Sequence, residues 1–174
     1  MCASALTLET ERLILRRPAP RDKDSIVAFY MSERSQYTGG NQPLFGAWKM
    51  AAMMYGQWEI NGFGLWAVTM KGDDSILGLV GPFYPDGWPE TEFGWLMFDG
   101  SEGKGIAFEA AQAALKDARE RLGWREIVHY INPENARSVA LAERLGAVYD
   151  PEAPQPFEDR PALIYRQPKS EVAA

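Results

Sequence analysis

The sequence predicts an α/β (α+β) protein whose single mixed, mostly antiparallel sheet has about seven strands flanked by helices. Three observations carry that expectation. The chain has 174 residues, close to the size of one domain, and no repeat or low-complexity linker divides it, so one domain is expected over residues 9–168. Hydrophobic residues at 46% and charged residues at 24% exclude a wholly disordered chain. Three strand-like runs follow one another closely in the middle and should pair antiparallel, whereas the later strands are separated by helices and should enter by parallel crossovers.

Residues 1–8 form a short polar start that is expected to fray. After Thr10-Glu11-Arg12, the run Leu13-Ile14-Leu15-Arg16-Arg17 has the character of a strand, and Pro18 and Pro20 stop it. Asp22 to Met31 carries Ile26, Val27, Phe29 and Tyr30 in a helical pattern. Gly39-Gly40-Asn41 and Pro43 make a loop, and a second helix is expected around Ala47 to Ile60. Leu65 to Met70 and Ile76 to Phe83 read as strands joined by the hairpin signal Lys71-Gly72-Asp73-Asp74-Ser75.

A strand from Thr91 to Phe98 runs into Asp99-Gly100-Ser101-Glu102-Gly103-Lys104-Gly105. The long helix that follows puts Phe108, Ala111, Leu115, Ala118 and Leu122 on one face. Arg125 to Ile131 is strand-like. Asn132 is then the expected N-cap, and Pro133 the first helical position, of a helix ending at Gly146. Prolines at 151, 154, 156 and 161 make a loop before a closing strand at Ala162 to Arg166, and residues 169–174 form a tail.

Eighteen basic against 24 acidic residues leave a formal net charge of −6, so no global field attracts nucleic acid or an anionic membrane. An anionic ligand must be held locally. The single cysteine, Cys2, provides no intrachain disulfide and no cysteine-based zinc site. The single histidine, His129, argues against a histidine-based metal site, and its placement on a strand with Ile127 and Ile131 suits a packed structural residue. Without a basic region leading into an apolar stretch at the start, and without 18 consecutive apolar residues, the expected location is the cytoplasm.

The local anion site is expected at Gly103-Lys104-Gly105-Ile106-Ala107, where glycines allow a sharp turn whose N–H groups and helix N-terminus face an anion. Lys104 adds a formal charge. A P-loop is excluded because Ile106 follows Gly105, and a dinucleotide fingerprint fails because Phe108 stands where a third glycine belongs. Helix capping alone remains the plain alternative for an isolated Gly-x-Gly.

More of the chain joins this turn. Glu92-Phe93-Gly94-Trp95-Leu96-Met97, the turn with Phe108-Glu109-Ala110, Asn135-Ala136-Arg137-Ser138 and Leu145-Gly146-Ala147 together resemble the Gcn5-related N-acetyltransferase (GNAT) family. The branch containing the ribosomal-protein N-terminal acetyltransferases is the most similar, through Thr10-Glu11-Arg12-Leu13-Ile14-Leu15-Arg16 and Gly62-Phe63-Gly64-Leu65-Trp66-Ala67-Val68. The resemblance implies the acyl-CoA N-acyltransferase fold, acetyl-CoA as cosubstrate, no metal, and transfer of acetyl to a primary amine by direct attack in a ternary complex. It implies that the amides of Gly103, Gly105, Ile106 and Ala107 wrap the pyrophosphate, with Glu102 a departure from the usual Gln or Arg. It also implies that backbone N–H groups near Leu96 and Met97 polarise the thioester carbonyl, and that Asn135 contacts the pantetheine arm.

Glu92 stands where some members of the family place a base or a water-holding carboxylate, and a substrate anchor or an exposed strand carboxylate are the alternatives. A lysine-like amine is neutral in only about one molecule in 2,500 at pH 7, so a base matters for such an acceptor. Many relatives donate a proton to the leaving thiolate from a tyrosine, but Ala142 occupies that position. Ser138 is the implied donor to the sulfur, unless its hydroxyl bonds back to its own helix. Tyr37, Phe45 and Trp48 are candidates for the acceptor pocket against the alternative of helix packing, and Glu92, Glu158 and Asp159 are candidates to attract a cationic acceptor. The expected partner is a small-molecule or peptide amine, and the expected assembly a monomer or homodimer. A non-catalytic CoA-binding module of the same fold and a nucleotide-binding protein unrelated to CoA are the competing readings.

Overall fold

The computed structural model describes residues 6–169; Cys2 and the ends of both expected tails lie outside them. The described residues form one sheet of eight strands: β1 (Thr7–Glu9), β2 (Leu13–Arg16), β3 (Trp66–Met70), β4 (Asp73–Phe83), β5 (Glu92–Met97), β6 (Val128–Ile131), β7 (Val148–Tyr149) and β8 (Leu163–Arg166). Their order across the sheet is β1-β2-β3-β4-β5-β6-β8-β7. Every neighbouring pair is antiparallel except β5 with β6. Four helices complete the fold: α1 (Lys23–Met31), α2 (Leu44–Asn61), α3 (Ile106–Glu120) and α4 (Ala136–Arg144). None of the described helices is long and apolar enough to cross a membrane.

The side-chain alternation of the strands divides the core into two layers. Leu13, Leu15, Trp66, Val68, Val80 and Phe93 meet Ile106, Ala110, Ala114 and Ala118 of α3 on one face. Ala67, Leu79 and Leu96 meet Ile26, Phe29 and Tyr30 of α1 and Ala47, Ala51 and Met54 of α2 on the other. A smaller cluster, Ile131, Ala142, Ala147 and Tyr165, seats α4 against the C-terminal strands. The α1–α2 layer is tied to the sheet by Arg16, whose Nη1 and Nη2 donate to the buried Asp22 at 2.7 and 2.9 Å. Bidentate pairing with a carboxylate is among the stronger charge-assisted contacts.

The strand expectations need two corrections. The eighth strand is Thr7–Glu9, partly inside the stretch expected to fray. It pairs with β2 in the register Leu8↔Leu15, and Leu8 packs against the α3-side core. Thr10 closes that hairpin, since its N–H donates to Leu13 O and its Oγ1 accepts from Leu13 N. The second correction shortens the expected Lys71–Ser75 loop to a two-residue turn, because Asp73 already pairs with Met70 and Gly72 takes the left-handed φ of +84°. The N-cap of α4 also moves. Asn132 accepts from Glu134 N in a preceding turn, and Asn135 is the residue whose side chain accepts from Ser138 N, at 3.1 Å.

The β4–β5 pair runs in unbroken register from Gly78↔Met97 to Phe83↔Glu92. A Cβ on Gly78 would press into the Leu96 carbonyl and the Met97 backbone of the facing strand. Gly78→Ala should therefore destabilise the fold by about 2 to 3 kcal/mol through overpacking. That corresponds to a thermal midpoint lower by roughly 4 to 12 °C for a domain of this size. An unchanged midpoint would contradict the close approach.

The parallel pair β5–β6 differs from the others. It is joined at one register position, Glu92↔Val128, with Val128 N donating to Thr91 O at 3.1 Å. Beyond that point no strand pairing among the described residues holds the two together, and the sheet opens toward α4.

Candidate active site

Two cavities meet in this opening. The larger, about 1120 Å3, lies over the Gly103–Phe108 turn and the start of α4. The smaller, about 440 Å3, lies between α2, β5, β6 and the loop before β8. Tyr37, Thr38, Trp95, Leu96, Asn135 and Ser138 line both, so the junction is where a molecule in one reaches a molecule in the other.

In the larger cavity the glycine turn has the form the sequence predicts. Gly103 and Gly105 adopt φ of +70° and +74°, a region that costs other L-residues about 1 to 2 kcal/mol. Gly105 is the N-cap of α3 and has no side chain to satisfy the first helical N–H groups. The amides of Ile106, Ala107 and Phe108 are left for an anion, in the favourable field of the helix terminus. Arg12 clamps the turn from behind, with Nη1 and Nη2 donating to Lys104 O at 3.2 Å and Nε to Glu109 at 2.7 Å.

Lys104 itself is a correction. Its ammonium turns away to donate to Gly100 O at 2.7 Å, and its side chain is not part of the cavity lining. Cationic charge comes instead from arginines to which the sequence alone assigns no role. Arg34 pairs with Glu102, Arg137 lies 3.7 Å from the same carboxylate, and Arg144 lies 4.0 Å over the Phe108 ring. Burial pushes the Glu102 pKa up, but its hydrogen bonds and these two arginines outweigh burial and hold it below the usual value. The departure at Glu102 is thus neutralised within the fold. Arg34 also donates from Nη2 to Met97 O at 3.0 Å, while its buried Nε has no partner among the described residues. An unpaired buried donor, left-handed glycines and open helix amides fit a diphosphate in this cavity.

At the junction, the Trp95 indole donates to Ser138 Oγ at 3.1 Å. The hydroxyl proton of Ser138 is then free to donate elsewhere. Asn135 caps α4 with its side-chain oxygen and lines the junction. Leu96 and Met97 separate. Phe98 N donates to Leu77 O of the strand beside β5. The antiparallel alternation therefore turns the Leu96 N–H into the β4 ladder and the N–H groups of Trp95 and Met97 toward the opening. Ala142 is fully buried against Ile131, Ala147 and Tyr165, so no proton donor stands at its position.

The smaller cavity holds Glu92. Its Oε2 accepts from Trp88 Nε1 at 2.7 Å, and the Tyr130 backbone N–H also donates to its carboxylate. Burial pushes its pKa up to about 7, against those two hydrogen bonds and the charge of Arg160. A carboxyl poised near neutral pH is suited to exchanging protons with an amine. Tyr37 lines both cavities, whereas Phe45 and Trp48 do not line either. They stack on each other at 70% and 50% exposure near the start of α2. Glu158 and Asp159 are exposed outside the lining, and the neighbouring Arg160 faces the cavity in their place. His129 is buried and structural. Its Nδ1 donates to Phe93 O at 2.6 Å, its Nε2 accepts from Gln167 at 3.0 Å, and burial lowers its pKa to about 4.

Trp88, Trp95, Phe157 and Arg160 are junction and acceptor-side residues that the sequence alone does not single out. Trp88 and Phe157 come from irregular loops and meet at 5.0 Å. Arg137 had a usable signal, since it sits between Asn135 and Ser138 in the first turn of α4.

A sheet opened at one parallel pair, with an anion turn on one side and a half-buried carboxylate on the other, defines a protein of the acyl-CoA N-acyltransferase fold. A family model described as an acetyltransferase (GNAT) domain matches residues 12–148, and the chain belongs to that family. It is similar to an acetyltransferase from Agrobacterium tumefaciens at 36% identity and a TM-score of 0.86, over 96% of each chain. Its fold also resembles a putative ribosomal-protein-serine acetyltransferase from Vibrio cholerae, at 20% identity and a TM-score of 0.73, over 93% of this chain and 97% of the other. A microcin C7 self-immunity acetyltransferase solved with acetyl-CoA and AMP shares the fold at 13% identity and a TM-score of 0.69, over 91% and 93%.

Proposed function

We propose that this acetyltransferase uses acetyl-CoA and moves the acetyl group to a primary amine by direct attack in a ternary complex. The observation that carries the reading is the meeting of the two cavities at Ser138 and Trp95, with the anion turn beyond one and Glu92 beyond the other. The amides of Gly103, Gly105, Ile106 and Ala107, with Arg34 and Arg137, hold the diphosphate, and Asn135 lies along the pantetheine path. The Met97 N–H receives the charge that grows on the thioester carbonyl. Glu92 takes the amine proton, and the Ser138 hydroxyl donates to the departing sulfur. This scheme uses no metal and no covalent acyl-enzyme, and it belongs with a cytoplasmic location and a monomer or homodimer.

Thermal unfolding with acetyl-CoA, CoA, ADP or no ligand tests the cosubstrate. A ligand at 100 times its dissociation constant adds about 2.7 kcal/mol to the native state. A rise with acetyl-CoA well above that with ADP supports the reading, and no rise at millimolar acetyl-CoA sinks it. The competing non-catalytic CoA-binding module, which Ala142 favours, predicts that rise without amine-dependent CoA release.

Ser138→Ala should lower kcat about tenfold, as loss of a hydrogen bond to a charged group does, with the acetyl-CoA affinity little changed. Steady-state CoA release checks it. Unchanged turnover would return the Ser138 hydroxyl to a structural role beside Trp95.

A further inference from the structure

We infer that the acceptor is a small molecule with one primary amine on an aromatic body, an arylalkylamine in chemical class. The inference rests on the acetyltransferase reading above and concerns the 440 Å3 cavity. Its lining is aromatic and thioether-rich: Met50, Met53 and Met54 come from α2, Phe83 and Trp88 from β4 and the following loop, and Phe157 from the loop before β8. Methionine and aromatic side chains adapt to flat apolar bodies, and a cavity of this size suits a small organic ligand.

Three polar side chains of the lining are already engaged with the protein. Trp88 donates to Glu92, the Tyr130 hydroxyl to Glu90 at 2.9 Å, and His129 is held by Phe93 and Gln167. An extended peptide would bring an N–H and a C=O with every residue, and these three side chains would not pair with them. The lining carries one carboxylate, Glu92, and one guanidinium, Arg160, which lies 3.9 Å over the Phe157 ring. A first ammonium meets Glu92. A second would meet no second carboxylate in this lining and would approach Arg160, so polyamines and aminoglycosides are selected against. In the reaction the amine nitrogen bonds to the acetyl carbon as the carbon–sulfur bond breaks. The ammonium first gives one proton through Glu92 to solvent, and the neutral nitrogen then gives its second to Glu92 as CoA leaves as the thiolate.

CoA release is measured with phenethylamine, tryptamine, spermidine, an aminoglycoside and a phenylalanine-initiated peptide, beside the acetyl-CoA thermal shift. The arylalkylamines should exceed spermidine in kcat/KM by about tenfold or more. Phe157→Ala should raise the phenethylamine KM about tenfold while the acetyl-CoA KM stays within about twofold. Arg160→Glu, at an exposed position that does not threaten the fold, should improve spermidine relative to phenethylamine. Preference for spermidine, the aminoglycoside or the peptide overturns the inference and leaves the acetyltransferase reading standing, as does an unchanged phenethylamine KM in Phe157→Ala. No CoA release with any of these acceptors overturns the inference and, where acetyl-CoA still raises the midpoint, favours the non-catalytic module; without that rise the cosubstrate reading falls as well.

Discussion

Glu92→Gln is expected to lower kcat at pH 7 by about a hundredfold or more, the scale of a lost general base, while raising stability at alkaline pH. The two effects share one cause. A half-buried carboxyl whose pKa is pushed up to about 7 ionises near the working pH and therefore accepts a proton from an ammonium readily. Wild-type kcat/KM should climb through pH 7, and the glutamine variant should lose that limb and keep only the rise from the amine itself. For stability the sign is reversed. The folded state holds the Glu92 proton up to about pH 7, whereas the unfolded chain releases it near the ordinary value of 4.5, so stability falls as pH rises across that window. The variant escapes this loss and should gain about 1 to 3 kcal/mol at pH 8, since a tenfold change in proton affinity corresponds to about 1.4 kcal/mol.

His129 acts the other way over nearly the same range. Its folded pKa of about 4 lies below the ordinary 6.5, so its contribution is full above pH 6.5 and is lost as pH falls toward 4. In the wild type the two slopes oppose each other. Glu92→Gln should uncover the histidine as a steeper acid-side decline. Melts at pH 5, 6.5 and 8 beside a pH–rate profile check both halves. A variant that keeps its activity and its pH profile would remove Glu92 from the proton path.

Gly105→Trp should abolish acetyl-CoA binding, by more than about a hundredfold, because it acts on the turn twice. It forces a bulky residue into φ of +74°, and with its Cβ 3.6 Å from the Arg12 guanidinium the ring displaces the clamp that holds the turn. The conformational strain costs about 1 to 2 kcal/mol, so the midpoint falls by a few degrees while the fold persists. The acetyl-CoA-induced rise should disappear, and titration calorimetry should show no binding. Retained affinity would sink the diphosphate assignment.

The parts of this site that could be read in the sequence are those that local chemistry dictates. Two glycines before an amphipathic helix announce a left-handed turn, and a Leu-Ile-Leu-Arg run before prolines announces a strand. Phe45 and Trp48 show where such reading stops. Their bulk suggests packing or a pocket, but the buried stripe of α2 is Ala47, Ala51, Met54 and Trp58, whose two alanines let the helix lie close to its neighbours, and the two aromatics fall off that stripe. The Arg34–Glu102 pair joins a short turn after α1 to the anion loop, and the Trp88–Phe157 contact joins two irregular loops. Neither leaves a periodic trace, because both exist only once the chain has folded. Thr7–Glu9 was hidden for a related reason. Three residues carry too little pattern to announce a strand whose partner supplies most of its order.

The opening between β5 and β6 bears on the life of the protein in the cell. Where the other strands close on one another, these two leave the Trp95 and Met97 amides to whatever lies between them. Under the proposed function, the cosubstrate completes the cross-sheet contact that the polypeptide omits. The share of the chain open to proteases then falls as the acyl donor is supplied.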